Sequence, residues 1–406
     1  MVERNRRYIK KLFQSCLFLC EKNWAQSNME DLVKFMGRTC DADIKSVLAE
    51  DSITYLSSTS VSDIIKVLSN FFEQKTLTQL REENFTLLAD ESTDQSNRTQ
   101  LSVFARWITP HGPREDYLGL IHEERTTSEA LMEAIERFLM GKMIPFQNVR
   151  FVGLDGCNTM SGCNKGLQRR IRNVSPLCIY INCRNHRLAL CFVHLLKNNS
   201  ILIDVDTLLL AIWKTFHFSP KKAAVFESFQ EVYGQRPINM VKAATTRWLS
   251  HLHACVRFKA RYETLLDTMD SLIESTHEPE MRGIRSSMTR KQNVAMILVL
   301  TDVLKPINYL SLYLQEDCGV VSELPTRVKQ CRDDLEAIIQ QYRQGNYEGL
   351  EFSKCEDLFF IIDDRAMLAR RNRSHAAEVT PAGFLEVHGI PLIYNLITEV
   401  EDAFYV

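Results

Sequence analysis

The sequence predicts an α/β core, a mixed five-stranded sheet with flanking helices. It sits between an all-α N-terminal segment and an all-α insertion-like and C-terminal region. Three observations carry this. Runs rich in strand formers fall only between about residues 85 and 182. Beyond the first three of them, these runs alternate with helical stretches. On both sides of that zone, apolar residues recur at helical spacing. The expected domains are 1–84 (helical), 85–197 (α/β core) and 198–406 (helical).

The elements follow in order. "MEDLVKFMGRTC" and "VSDIIKVLSNFFEQKTLTQL" read as amphipathic helices, the second capped by Ser62. "NFTLLAD", "TQLSVFARWIT" and "YLGLIHE" read as three strands of an antiparallel meander, with "HGPRED" as the second turn. "TSEALMEAIERFLMGKM" is a helix with Thr127 or Ser128 as its cap and Glu129 in the first turn. "VRFVGLDG" is the fourth strand, "NTMSGCNKGLQRRIRNV" a loop and helix, "LCIYINC" the fifth strand and "HRLALCFVHLLKN" a further helix. Four helices follow: "IDVDTLLLAIWKTFHF", "HLHACVRFKARYETLLDTMDSLIES", "NVAMILVLTDVLKPINYLSLYLQ" and "LPTRVKQCRDDLEAIIQQYRQ". Pro306 is expected to kink or end the third of these.

Composition narrows the function classes. The chain has 406 residues, 45% of them apolar and 25% charged, which is ordinary for a globular protein. A formal charge of −2 supplies no global field toward nucleic acid or acidic lipid, so any anion binding must come from local patches. No stretch approaches the ~20 consecutive apolar residues of a membrane span. The N-terminal "MVERNRRYIKKLFQSCLFLCEKNW" lacks a signal-peptide cleavage site and reads as an amphipathic helix. The 12 cysteines are scattered, several in apolar runs, as in a reducing compartment. Cytosol or nucleus is the expected location.

Two aspartates end strands. Asp90 closes "FTLLAD" and Asp155 closes "VRFVGLD". An aspartate at a strand end is more often a turn initiator than a ligand. The pair gains meaning from the element order, β-β-β-α-β-α-β, which is that of the ribonuclease H-like fold. There, carboxylates on the first and fourth strands face each other and hold divalent metal ions for phosphoryl transfer. Hard oxygen ligands suit Mg²⁺.

Four stretches carry a family resemblance: "FTLLADESTDQSNRTQLSVFARWI", "VGLDGCNTMSGCNKGLQRRIR", "INCRNHRLAL" and "TTRWLS". In that order they resemble successive blocks of hAT-type transposases, and more narrowly the domesticated proteins derived from them. The resemblance covers roughly residues 1–310. It implies that Asp90 and Asp155 are the first two catalytic, metal-binding aspartates, with Mg²⁺ or Mn²⁺ as the cofactor. It implies that Cys183 and His186 form a structural pair near the site, and that Arg247 and Trp248 approach DNA. The family's third acid, a glutamate on a later helix, has no assignable counterpart; Glu399 and Glu401 are the last glutamates and neither lies in a motif. Asn182 stands where a histidine is expected before Cys183. Only Cys16, Cys20 and Cys40 precede Asp90, with no histidine, so the zinc finger often fused to the family is not expected. The chain is expected to stop before a C-terminal dimerisation region, which leaves the homodimer open.

Cys183, His186, Cys191 and His194 have zinc-ligand chemistry, but one helix would point them in different directions, and a buried Cys191 is the commoner outcome. Basic clusters occur at Arg169, Arg170 and Arg172; at Arg282, Arg285, Arg290 and Lys291; and at Arg370, Arg371 and Arg373. The first follows the second aspartate strand and suits a phosphate backbone, although a solvated helix face is the commoner meaning of such a run. No cluster interleaves aromatic residues. "LFFIIDD", residues 358–364, has the composition of a SUMO-interacting strand. The expectation is a nuclear, domesticated transposase-like protein without catalysis, with DNA or protein partners and no membrane. The alternatives are an active metal-dependent transposase or nuclease and a SUMO-ligase-like scaffold.

Overall fold

The structure is a computed structural model, and it describes residues 2–49, 54–94, 96, 98–123, 125–243, 248–316, 321–367 and 379–404. The chain forms two compact units, Met1–Ile181 and Asn182–Val406.

The first unit opens with four helices, α1 (Val2–Glu21), α2 (Met29–Thr39), α3 (Ala42–Ala49) and α4 (Ser58–Leu80). In α1 the residues Tyr8, Leu12, Cys16 and Leu19 recur at helical spacing and are buried, so this segment is the amphipathic helix expected. With Met29, Val33, Ile44, Val47, Val61 and Ile64 they make a small core of their own. Helix α4 starts five residues earlier than expected. Ser57, not Ser62, is the N-cap, and its hydroxyl accepts the Ser60 N–H at 3.2 Å. The far end of α4 delivers Leu77 and Leu80 to a second core.

That second core belongs to the sheet. Its strands are β1 (Phe85–Thr93), β2 (Thr99–Thr109), β3 (Gly112–His122), β4 (Val149–Leu154) and β5 (Ile179–Asn182), in the order β3-β2-β1-β4-β5. β1, β2 and β3 form the expected antiparallel meander, and β4 lies parallel to β1. β3 starts within the stretch read as a turn. Helices α5 (Ser128–Gly141), α6 (Asn158–Ser161) and α7 (Leu167–Val174) complete the unit. Thr127 caps α5 as expected, accepting the Ala130 N–H at 3.3 Å. Leu87, Ala89, Val103, Ala105, Val152 and Leu154 on one face pack with Leu131, Ile135, Leu167 and Ile171. The opposite face is open. Tyr117, Phe151, Ile179 and Ile181 on that side are all exposed.

Beyond Asn182, the regular elements among the described residues of the second unit are helices: α8 (Arg184–Lys197), α9 (Ser200–His217), α10 (Pro220–Val232), α11 (Trp248–Ala260), α12 (Tyr262–Thr276), α13 (Pro279–Met288), α14 (Lys291–Tyr313), α15 (Leu324–Arg343), α16 (Cys355–Met367), α17 (Pro381–Phe384) and α18 (Ile390–Phe404). A π-turn at Leu385–Gly389 joins the last two. Helix α8 belongs here because it packs against α9 and α18; the dividing line falls between Ile181 and Asn182 instead of after residue 197. One expected helix is two, since Arg261 leaves helical geometry (φ −125°, ψ 22°) between α11 and α12. Pro306 does not end α14, which runs on through it. Helix α14 is long and apolar enough to cross a membrane, but 83% of its apolar window is buried within the protein. It packs against α9, α11, α15 and α16.

Candidate active site

β1 and β4 set Leu87 beside Val152 and Leu88 beside Gly153. Residues paired across adjacent strands share a face, and alternate residues along a strand do not. This close approach ends there: Asp90 lies two residues further along β1, which continues to Thr93, and Asp155 lies two residues past Gly153, just beyond β4. Gly153 keeps that approach close, because a Cβ there would lie 2.6 Å from Leu88 Cδ2. Asp90 is exposed and sits opposite Ser102 of β2. Asp155, one residue past β4, is half-buried. Its Oδ1 accepts the Cys157 N–H at 3.2 Å, and its carbonyl accepts the Tyr180 hydroxyl at 3.2 Å. Burial, followed by the bond to Asp155, pushes the Cys157 thiol up to about 11.

Glu91 was not singled out by sequence. Strand alternation turns it away from Asp90, yet its carboxyl is raised above the usual carboxylate range, first by burial, then by Asp155, then by Asp90. Its Oε1 is buried without a hydrogen bond. The signal available in the sequence was a second acid directly after Asp90. The last acid of "DESTD" is different. Asp94 Oδ1 accepts the N–H groups of Ser96 and Arg98 at 2.8 and 2.9 Å, and Oδ2 accepts Gln100 Nε2 at 3.0 Å. Asp94 therefore builds the β1–β2 turn.

The glycines that follow Asp155 have a steric reason. Gly162 and Gly166 touch backbone to backbone, and a Cβ on Gly166 would lie 2.4 Å from the Gly162 nitrogen. The Gly166 N–H donates to the Gly162 carbonyl at 2.9 Å, and Gln168 Nε2 donates to the carbonyls of Ser161 and Gly162. This fold-back starts α7 and fixes its arginines. They separate into two kinds. Arg170 is engaged by α5, donating to Ser128 Oγ at 3.2 Å and pairing with Glu129 at 3.5 Å. Arg169 and Arg172 are exposed and three residues apart, so they share one side of α7.

The remaining candidates lie in the second unit. Cys183 is the N-cap residue of α8 and is exposed; its side chain makes no capping bond. His186 is half-buried in the first turn of that helix. Cys191 is buried, with Sγ donating to the Glu399 carbonyl at 3.3 Å, and burial pushes its thiol up to about 12. His194 pairs with Glu399 at 2.9 Å, and Glu401 pairs with Arg332 at 3.4 Å. Both late glutamates thus have cationic or imidazole partners within their own unit. Among the described residues, no group of three or more His, Cys, Asp or Glu side chains converges as a metal cage.

Trp248 opens α11, and Arg247 lies outside the described residues, as do Arg370, Arg371 and Arg373. In the remaining basic cluster, Arg285 grips Asp270, Arg290 pairs with Asp204 and Lys291 with Asp363. "LFFIIDD" is not a strand. It lies in α16, with Phe359 and Ile362 buried, because a short apolar run is compatible with either element. Residues 18–166, which hold β1, β4, Asp90 and Asp155, match the DUF4371 family, described as the ZMYM1/FAM200 RNase-like domain, so the sheet unit is similar to an RNase-like domain.

Proposed function

We propose that the chain is a domesticated protein derived from a hAT-type transposase. Its sheet unit is a ribonuclease H-like core that acts in the nucleus through DNA or protein binding, without strand cleavage of its own. What supports this is the parallel pairing of β1 with β4, which runs to Leu88 and Gly153, two residues short of Asp90 and Asp155, within the stretch that matches an RNase-like domain. The donors fit a hard cation in part. Two carboxylates on one face suffice for Mg²⁺ when water and phosphate complete its shell. Asp90 and Asp155 would hold Mg²⁺ or Mn²⁺, which when bound supplies Lewis-acid activation of water and neutralises phosphate charge. Asp155 is oriented by its own turn, through the Cys157 N–H. The partnering of Glu399 and Glu401 within the helical unit supports the inactive reading. Arg169 and Arg172, exposed on α7, together with Arg247 and Trp248, are the proposed DNA contacts.

A second reading, an active nuclease, is favoured by Glu91, whose half-buried carboxyl lies in the field of both aspartates. Calorimetry with Mg²⁺ and Mn²⁺, followed by a plasmid-nicking assay, separates the two. The expected result is weak metal binding that disappears in both Asp90→Asn and Asp155→Asn, with no nicking. Nicking that is lost in Glu91→Gln would establish the second reading. Unaltered metal binding in both aspartate variants would remove the site from either.

A further inference from the structure

The helical unit carries an aromatic and cationic surface that residue spacing conceals. His217 stacks on Trp213, with ring centroids 4.5 Å apart and planes at 22°. Phe218 stands edge-on to both rings, at 5.5 and 4.8 Å, and is 70% exposed. Lys242, from the segment between α10 and α11, sets its ammonium 5.3 Å from the Trp213 ring centre. Lys214 neighbours His217 and Phe218 on the helix surface, and Lys221 follows three residues after Phe218. Among the described residues, none of these three lysines has an ion-pair partner, whereas Lys222 beside them pairs with Glu278.

A cavity of about 550 Å³ opens against His217. Its far wall is residues 237–240, and that wall is fixed. The Gln230 side chain bonds the Ile238 N–H and carbonyl at 2.9 and 3.3 Å, and Arg257 donates to the Asn239 carbonyl. The lining includes Asn239 and a single carboxylate, Glu227.

We propose that this surface binds single-stranded DNA, an unpaired base stacking on the exposed Phe218 ring with His217 edge-on beside it at the cavity mouth, while Lys214, Lys221 and Lys242 follow the phosphates. Exposed ring faces beside unpaired cations are what an unstacked strand needs. A duplex hides its base faces and cannot use the rings. An acidic peptide could satisfy the lysines but leaves the rings without a partner. Glu227 accepts from base amino groups and repels phosphate, which orients the base inward. This extends the DNA-binding part of the proposed function to a surface separate from the two aspartates, so its test is run without divalent metal.

The experiment is fluorescence anisotropy of the full chain in EDTA, with labelled twelve-residue oligothymidylate, a duplex of equal length and a labelled oligoglutamate peptide. The single strand is expected to bind at least about tenfold tighter than the duplex. The double variant His217→Ala/Phe218→Ala is expected to lose about tenfold or more, and Phe218→Tyr to retain wild-type binding. Lys242→Ala should weaken binding and lower the salt slope by about 0.7. Lys329→Ala, at an exposed lysine of α15, should change nothing, and melting curves confirm that the variants fold. The proposal is overturned by absent binding, by equal affinity for duplex, by a double variant that binds as wild type, or by oligoglutamate binding as tightly with the same sensitivity. Loss of metal binding in the aspartate variants with single-strand binding intact would leave this surface standing and bear only on the aspartate site.

Discussion

The two units treat a buried carboxylate in opposite ways. In the helical unit Asp302 is 1% exposed, and its oxygens accept the Glu351 and Phe352 N–H groups at 2.7 and 3.0 Å and the Tyr342 hydroxyl at 3.0 Å. Burial pushes its carboxyl up, while these three donors pull the other way. In the sheet unit Glu91 is partly buried, has an oxygen without a donor and feels the charge of Asp155 and Asp90. Every acceptor on Asp302 is spent on holding the chain. Glu91 retains acceptor capacity at a place where negative charge has been gathered. The first arrangement is that of a structural acid, and the second is what a cation-binding or catalytic site requires.

The comparison can be broken most forcefully at Asp302. Asp302→Ala leaves three donors without an acceptor and should cost about 3–5 kcal/mol, read by urea unfolding of the helical unit. A loss below about 1 kcal/mol would mean that water takes over those bonds. Next in size is Gly166→Ala, which drives a methyl into the backbone of Gly162. It should cost about 1–3 kcal/mol and displace the loop after Asp155. Hydrogen exchange in β4 and α7 should rise while the helical unit is unchanged.

The smallest effects are the most diagnostic because their signs differ. Glu91 has a raised carboxyl, so its contribution is complete below about 4.5 and is lost as pH rises through its folded value. Glu91→Gln should abolish that slope and leave the protein more stable at neutral pH. Glu351 is the counterpart. Burial works against it, but Lys259 and Lys354 hold its carboxyl down at about 2. Its contribution is present above about 4.5 and lost as pH falls toward 2. Glu351→Gln should therefore cost about 1–2 kcal/mol at neutral pH and nothing once the pH is well below 2. Melting temperatures across pH for the two variants should diverge in opposite directions, and parallel curves would remove the distinction.

Strand order was legible in the sequence because alternation and turn residues are local signals, and the meander from Phe85 to His122 is carried by them. The apolar runs before Asp90 and Asp155 were legible as strands too, but not that β1 continues past Asp90 to Thr93. Helix boundaries were less legible. The apolar spacing of "VSDIIKVLSN" is continuous with the preceding serines, so the cap at Ser57 competed with Ser62. Arg261 breaks a helix whose apolar pattern runs straight across the break. "LFFIIDD" was ambiguous because only packing decides whether a short apolar run becomes strand or helix. The Trp213 surface was invisible for another reason: it needs Lys242, 29 positions downstream, and only the tertiary fold brings the two together.

Helix α18 packs against α8, the first helix of its unit, and α14 lies between them in sequence with apolar residues on every side. During synthesis, α14 leaves the ribosome well before α15, α16 and α18 exist to cover it. The unit cannot close until residue 404 has emerged. For that interval a 23-residue apolar helix must be sheltered by α9, α11 and α13, or by a chaperone.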